Sequence, residues 1–302
     1  MQFDGQVTAT FGRHLLVRDT AGKEWRARPF GRRVAAVCGD EVRCEIDARH
    51  SEAYVVEVRP RRTCLSRSNL RGAAEPIVAN LSLLLVTLAP VPEPDFFVVD
   101  RYLSAAASAS IGASLVINKC ELGTSASLHA ELAAYAAMGY RWIECSARAG
   151  TGIDDLVELC SGSVAALVGQ SGVGKSSLVR HMIPEAEIRT GELVRAEEGR
   201  HTTTASRLYD LPHSGHLIDS PGVRDYAPAP EQLEPLSLGF VEIARLAPGC
   251  RFGDCRHLRE PECAVRSAAE GGGMHARRYE SYRRLRRLYD NLLEARGPKR
   301  RT

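Results

Sequence analysis

Hydrophobic and polar positions alternate in short runs near the start of the chain: Gln6–Thr10, His14–Arg18, Glu41–Ile46 and Ala53–Val58. A period of two predicts strands buried on one face. Turn formers such as Asp19–Gly22 and Cys38–Asp40 separate the runs. Short strands at this spacing predict a small closed barrel over residues 1–62. An OB-like barrel is the first expectation and a five-stranded SH3-like barrel the second. Residues 63–76 are basic and polar and read as a linker.

From residue 77 the pattern changes. Unbroken apolar runs, Leu83–Val86, Ser114–Ile117 and Val164–Val168, alternate with helical stretches such as Ser127–Met138. Strands covered on both faces lose the period of two, and their alternation with helices predicts a multidomain α/β chain. Its second domain, residues 77–227, is read as a mostly parallel sheet with helices on both faces. Residues 228–302 read as a third, helical and polar domain.

Composition narrows this only slightly. The chain has 302 residues, 44% hydrophobic and 25% charged, with a net charge of +3. That balance excludes wholesale disorder, and it is too mild to imply nucleic acid by itself. The start, Met1–Gly5, lacks the charged and apolar regions of a signal peptide, so a cytoplasmic location is expected, with no membrane partner. Of nine cysteines, Cys250, Cys255 and Cys263 cluster. The other six read as small buried hydrophobes.

The chemistry begins at Gly169-Gln170-Ser171-Gly172-Val173-Gly174-Lys175-Ser176-Ser177, which fits G-x-x-x-x-G-K-[ST] between an apolar run and a helix-like stretch. The glycines let backbone N–H groups curl around phosphates, Lys175 reaches the β- and γ-phosphates, and Ser176 ligates Mg²⁺. Downstream, Asp219-Ser220-Pro221-Gly222 ends an apolar run. There Asp219 suits the Mg²⁺ shell and the Gly222 N–H suits sensing of the γ-phosphate.

Two loops suit the purine. Asn118-Lys119-Cys120-Glu121 follows the run 114–117 and matches N-K-x-D except that Glu replaces Asp. Its carboxylate would accept from guanine N1–H and the 2-amino group, and would repel adenine. Cys145-Ser146-Ala147-Arg148 follows Trp142–Glu144, and the Ala147 N–H is expected to meet guanine O6. Both loops precede the phosphate loop, an order that a circular permutation of the sheet explains.

Cys250, Cys255, His257 and Cys263 read C-x4-C-x-H-x5-C. Three thiolates and an imidazole suit one tetrahedral, structural Zn²⁺.

Taken together, the phosphate loop, Gly199-Arg200-His201-Thr202-Thr203-Thr204, Leu217–Arg224 and the cysteine cluster resemble the RsgA (YjeQ) family, the small ribosomal subunit biogenesis GTPases. The resemblance implies an OB-fold, a circularly permuted G domain and a C-terminal zinc domain. It also implies hydrolysis of GTP to GDP and phosphate, stimulated by the 30S subunit and its rRNA late in that subunit's maturation. By this analogy Thr203 completes the Mg²⁺ shell. Val223 stands where many GTPases carry a water-orienting Gln, so His201 is the expected water-positioning residue.

Arg26, Arg28, Arg32 and Arg33 flank Trp25 and Phe30, a pattern that suits an RNA face. Near the C-terminus, Tyr279, Tyr282, Leu285 and Tyr289 are expected to pack inward, with the arginines of 277–301 turned outward to phosphate. Two alternatives stay open at this point: an rRNA-binding protein with a nucleotide pocket but little turnover, and a P-loop ATPase. Nothing in the sequence asks for more than a monomer.

Overall fold

The structure, a computed structural model, describes residues 1–31, 34–47, 52–68, 74–183, 205–224, 226 and 232–295. The expected switch residues His201 and Thr203, Arg32 and Arg33, and the basic positions after 295 lie outside them.

The barrel comprises β1 (Gln2–Phe11), β2 (His14–Asp19), β3 (Glu24–Pro29), β4 (Glu41–Asp47) and β5 (Glu52–Val58). Its strand order is β1-β2-β3-β5-β4, with β4 closing back onto β1. This closed five-stranded arrangement, with β3 and β5 parallel, is that of an OB barrel and sets the SH3-like alternative aside. Val7, Leu15, Val17, Val42, Cys44 and Val55 fill the barrel. A register shift between Val7 and Ala9 lets β1 serve three partners. Its first half pairs with β4, its length with β2, and Ala9 and Thr10 pair with a strand of the second domain.

The expected linker is instead ordered in large part. Cys64–Ser68 (β6) and Ala74–Ala79 (β7) form a two-stranded antiparallel sheet. Its charged positions hide the alternation that buries Leu65 and Val78 completely. The buried Asn80 joins it to the barrel, accepting from Arg62 N at 2.9 Å and donating to Gly39 O at 2.9 Å.

The second domain's sheet runs β10-β9-β8-β11-β13-β12, from β8 (Leu83–Leu88), β9 (Gly112–Ile117), β10 (Arg141–Glu144), β11 (Val164–Gly169), β12 (Ser206–Asp210) and β13 (His216–Asp219). All neighbours are parallel except β12. Successive side chains point to opposite faces. Leu84, Val86 and Leu88 join one core with Leu115, Ile117, Ala166 and Val168, while Leu83, Leu85, Val116, Ala165 and Leu167 join the other. Burial on both faces is the physical reason these runs show no polar alternation. Helices α1 (Phe96–Ser108) and α2 (Ala126–Ala137) cover the first face. Helices α3 (Ile153–Leu159) and α4 (Lys175–Met182) cover the second. A one-turn helix α5 (Pro221–Arg224) follows β13.

The C-terminal part contains α6 (Val241–Leu246), α7 (Ala264–Glu270) and α8 (Ala276–Ala295). Tyr282, Leu285 and Tyr289 are buried and Tyr279 is half-buried, as their spacing predicts. The outward arginines are a correction. Arg278 is 1% exposed and Arg286 4%. Arg278 donates to both Glu242 oxygens, at 2.8 and 2.9 Å, and to Asp100 of α1 at 2.8 Å. Arg277 reaches Asp100 at 2.6 Å and Glu131 at 2.7 Å. Acidic residues far away in sequence neutralise these charges, and a local count of charge cannot see them. Arg284 and Arg287 remain exposed.

This buried cluster ties α8 to α1, α2 and α6. Arg278→Ala strands Glu242 without its partner and weakens the hold on Asp100. Breaking a buried pair on one side costs about 3–5 kcal/mol. Chemical denaturation of this variant is expected to show a loss near the lower value, because Arg277 still faces Asp100.

Candidate functional site

Every chemical loop leaves the carboxyl end of a parallel strand, and in open α/β sheets that edge is where ligands bind. Asn118 follows β9, Cys145 follows β10, Gly169 ends β11 and Asp219 ends β13. The sheet therefore converges segments that lie as far apart as residues 118 and 222.

Hydrogen bonds lock the base-reading and phosphate loops together. The buried Asn118 amide donates to Val173 O at 2.8 Å, and its oxygen accepts from Ala147 N at 3.0 Å. Lys119, in a left-handed conformation with φ 62°, sends its ammonium to Gly172 O at 2.7 Å and Val91 O at 2.8 Å. Ser146 accepts from Ala149 N at 2.9 Å. The neighbouring Ser146 hydroxyl, and then Glu121's own backbone N–H, hold the Glu121 carboxyl below the usual range, and Arg148 and Lys119 act in the same direction. Glu121 is exposed and stays ionised at neutral pH. The Ala147 N–H, the group expected for guanine O6, here donates to the buried Asn118 amide oxygen.

In the phosphate loop, Gly169, Gly172 and Gly174 have φ of 144°, 82° and 94°. Gly174 caps α4, whose N-terminal end carries the positive pole of the helix dipole and suits an anion. The Lys175 ammonium lies among the loop's own carbonyls, 2.6 Å from Gly169 O and 2.8 Å from Gln170 O. Ser171 and Ser176 are exposed, and Ser177 N bonds Gly174 O at 3.0 Å. Gly222 packs so tightly on β7 that an added Cβ would lie 2.8 Å from Ile77 Cγ2. Val223 is fully buried in the core, so its side chain has no access to a reacting water.

A cleft of about 410 Å³ opens between Asn118, Lys119, Glu121, Ala147, Gly174 and Ser177. Leu122, Arg148, Arg180 and His181 complete it. Sequence reading passed over Leu122, Arg180 and His181; their only signal was adjacency to the motifs.

The cysteine cluster also closes. Ligand atoms of Cys250, Cys255, His257 and Cys263 lie within 4.8 Å of one another. The Cys250 and Cys263 sulfurs are 3.9 Å apart, and His257 Nδ1 lies 3.5 and 3.6 Å from them. Zinc bonds of about 2.3 Å to sulfur and 2.0 Å to nitrogen place tetrahedral S···S near 3.8 Å and S···N near 3.5 Å. The donor set and its spacing fit such an ion. Nearby, Glu260 accepts from the N–H groups of Arg256, Leu258 and Arg259. Burial opposes the Glu260 charge, but these bonds outweigh it and bring the carboxyl down to about 2.

Comparisons with known proteins agree with this geometry. The family model described as RsgA GTPase matches residues 58–228. The chain belongs to the RsgA GTPase family. It is 40% identical to the small ribosomal subunit biogenesis GTPase RsgA of Pseudomonas fluorescens, over 93% of this chain and 84% of that protein. It is 39% identical to the RsgA of Azotobacter vinelandii, with the same coverage. Among solved structures, YjeQ from Thermotoga maritima matches with TM-score 0.75 and 26% identity, covering 99% of this chain and all of that one. YloQ, described as a circularly permuted GTPase, matches with TM-score 0.74 and 21% identity over 99% and 97% of the two chains, which speaks for the fold alone. Like other RsgA GTPases, this chain is a GTP hydrolase, and its G domain has the permuted order expected from the loops.

Proposed function

We propose that the cleft binds GTP and that its hydrolysis, stimulated by the small ribosomal subunit, serves late maturation of that subunit in the cytoplasm. The observation that carries this reading is the bonded junction of Asn118 and Lys119 with Val173 and Gly172, which lets one nucleotide touch both loops. The relatives' function as small-subunit biogenesis GTPases supplies the partner.

In this reading Glu121 accepts from the guanine edge while Ser146 holds it in place. The N–H groups of 172–176 and Lys175 take the phosphates. Ser176 and Asp219, with Thr203, hold Mg²⁺, which when bound neutralises charge on the β- and γ-oxygens. The Gly222 N–H reports the γ-phosphate, and His201 orients the attacking water. Cys250, Cys255, His257 and Cys263 hold one structural Zn²⁺. Arg26, Arg28 and Phe30 on the barrel, all exposed, and Arg284 and Arg287 on α8 face the rRNA. We expect a monomer in solution. No described helix is long and apolar enough to cross a membrane.

The test compares GTP with ATP binding, and GTP turnover with and without purified 30S subunits. Equal binding of ATP, or turnover indifferent to the subunit, would count against the proposal. Glu121→Gln adds a sharper check. Exchanging a charged acceptor for two donors reverses the hydrogen-bond pattern toward guanine, so GTP affinity is expected to fall roughly thirtyfold or more. The carboxamide N–H would instead suit xanthine O2, so affinity for XTP should rise.

A further inference from the structure

Gln170 belongs to the phosphate loop, yet its side chain is committed elsewhere. Its Oε1 accepts from Asp95 N at 2.8 Å, and its Nε2 reaches Glu93 O at 3.5 Å. The segment it holds, 89–95, is unusual in its chemistry. Pro90, Pro92 and Pro94 remove three N–H donors and stiffen the chain. Three of its backbone groups, the carbonyls of Val91 and Glu93 and the N–H of Asp95, meet the phosphate or base loop. Lys119 takes Val91 O, and Gln170 takes the other two. Gly172 lies over the Pro92 ring, where an added Cβ would be 3.7 Å from Pro92 Cδ. The segment is anchored at its far end, because Asp95 caps α1 by accepting from Phe97 N and Val98 N.

The backbone of Gln170 faces the other way. Its carbonyl accepts from the Lys175 ammonium at 2.8 Å. Gln170 thus has its side chain in the proline segment and its main chain on the lysine that meets phosphate. We propose that Gln170 is a positioning residue: its amide locks the phosphate loop onto the 89–95 brace and so sets the place from which Lys175 engages the nucleotide. The side chain touches no phosphate itself. Preorganised donors of this kind act by removing the cost of ordering the loop during binding and reaction.

This role presupposes that the cleft is a GTP site, and the experiment separates the two. In the full chain, Gln170→Met keeps the length and packing and deletes both hydrogen bonds. Asp95→Ala deletes the helix cap and keeps the Asp95 N–H bonded to Gln170. Of the two hydrogen bonds lost, the one at 2.8 Å carries most of the effect, which should speed GDP and GTP release roughly fivefold in Gln170→Met, lower kcat by a similar factor, and barely move the unfolding midpoint. Asp95→Ala should lower the midpoint and leave release unchanged. Hydrogen exchange at the Asp95 amide, measured without nucleotide, should also quicken in Gln170→Met. Unchanged exchange there, wild-type release rates in Gln170→Met, or equal release from both variants would overturn the positioning role. A wild-type chain that bound no GTP would sink the functional reading instead.

Discussion

Gly174→Ala is expected to lower guanine-nucleotide affinity by roughly several hundredfold, through two costs that add. The first is local. Gly174 holds φ at 94°, where an L side chain is strained by about 1–2 kcal/mol. The second is the neighbour. A Cβ on Gly174 would lie well under 3.0 Å from Asn118 Nδ2, a contact real Cβ atoms do not make. Asn118 cannot step aside freely, because that amide bonds Val173 O and its oxygen holds Ala147 N. Displacing it frees two bonds, at about 1 kcal/mol each, and separates the base-reading loops from the phosphate loop. Gly172→Ala is the control. It shares the backbone strain, with φ 82°, but a Cβ there meets nothing closer than Pro92 at 3.7 Å. Its loss should be about tenfold. Nucleotide titration of the two variants, alongside their unfolding midpoints, decides the matter; equal losses would show that the Asn118 contact carries no weight.

Removing the metal is expected to undo the C-terminal fold around 250–270 while leaving the GTP cleft in working order. A structural zinc site contributes about 10–16 kcal/mol at neutral pH, more than the few apolar residues here supply. Cys255 and Cys263 lie within the same core as Phe240, Ile243, Val265 and Met274, and Cys250 packs against it, so losing the ion would loosen that packing as well. The Cys263 sulfur also caps α7, accepting from Arg266 N at 3.4 Å, so as a metal ligand it would do two jobs. A chelator should therefore release one zinc per chain, expose three reactive thiols and speed hydrogen exchange across α7. Helix α8 should stay protected at Arg277 and Arg278, which are held by Asp100, Glu131 and Glu242 rather than by metal. A chelated chain with unchanged near-UV dichroism and exchange would refute a structural role for the ion.

Much of the site was legible because its parts are short and local. The phosphate loop, the Asn118–Glu121 loop, the Asp219–Gly222 turn and the four metal ligands each declare their chemistry within a few residues. The barrel strands announced themselves by alternation, except β3. There Glu24, Arg26 and Arg28 drew the eye from Trp25 and Ala27, the positions facing the barrel core or lying against it. The β6–β7 sheet escapes the pattern for the same reason: its charged positions outweigh the buried Leu65 and Val78.

Which groups can do chemistry, and in what order they lie, can be read along the chain, since those properties belong to residues and their near neighbours. Who meets whom emerges from the fold. It turned Arg277 and Arg278 inward, where carboxylates from three helices offset their burial. It spent the Ala147 N–H on Asn118, and it gave the Gln170 side chain to a proline segment. Such pairings depend on where strand ends and helix faces converge. Spacing along a chain carries no record of that when the partners are scores of residues apart.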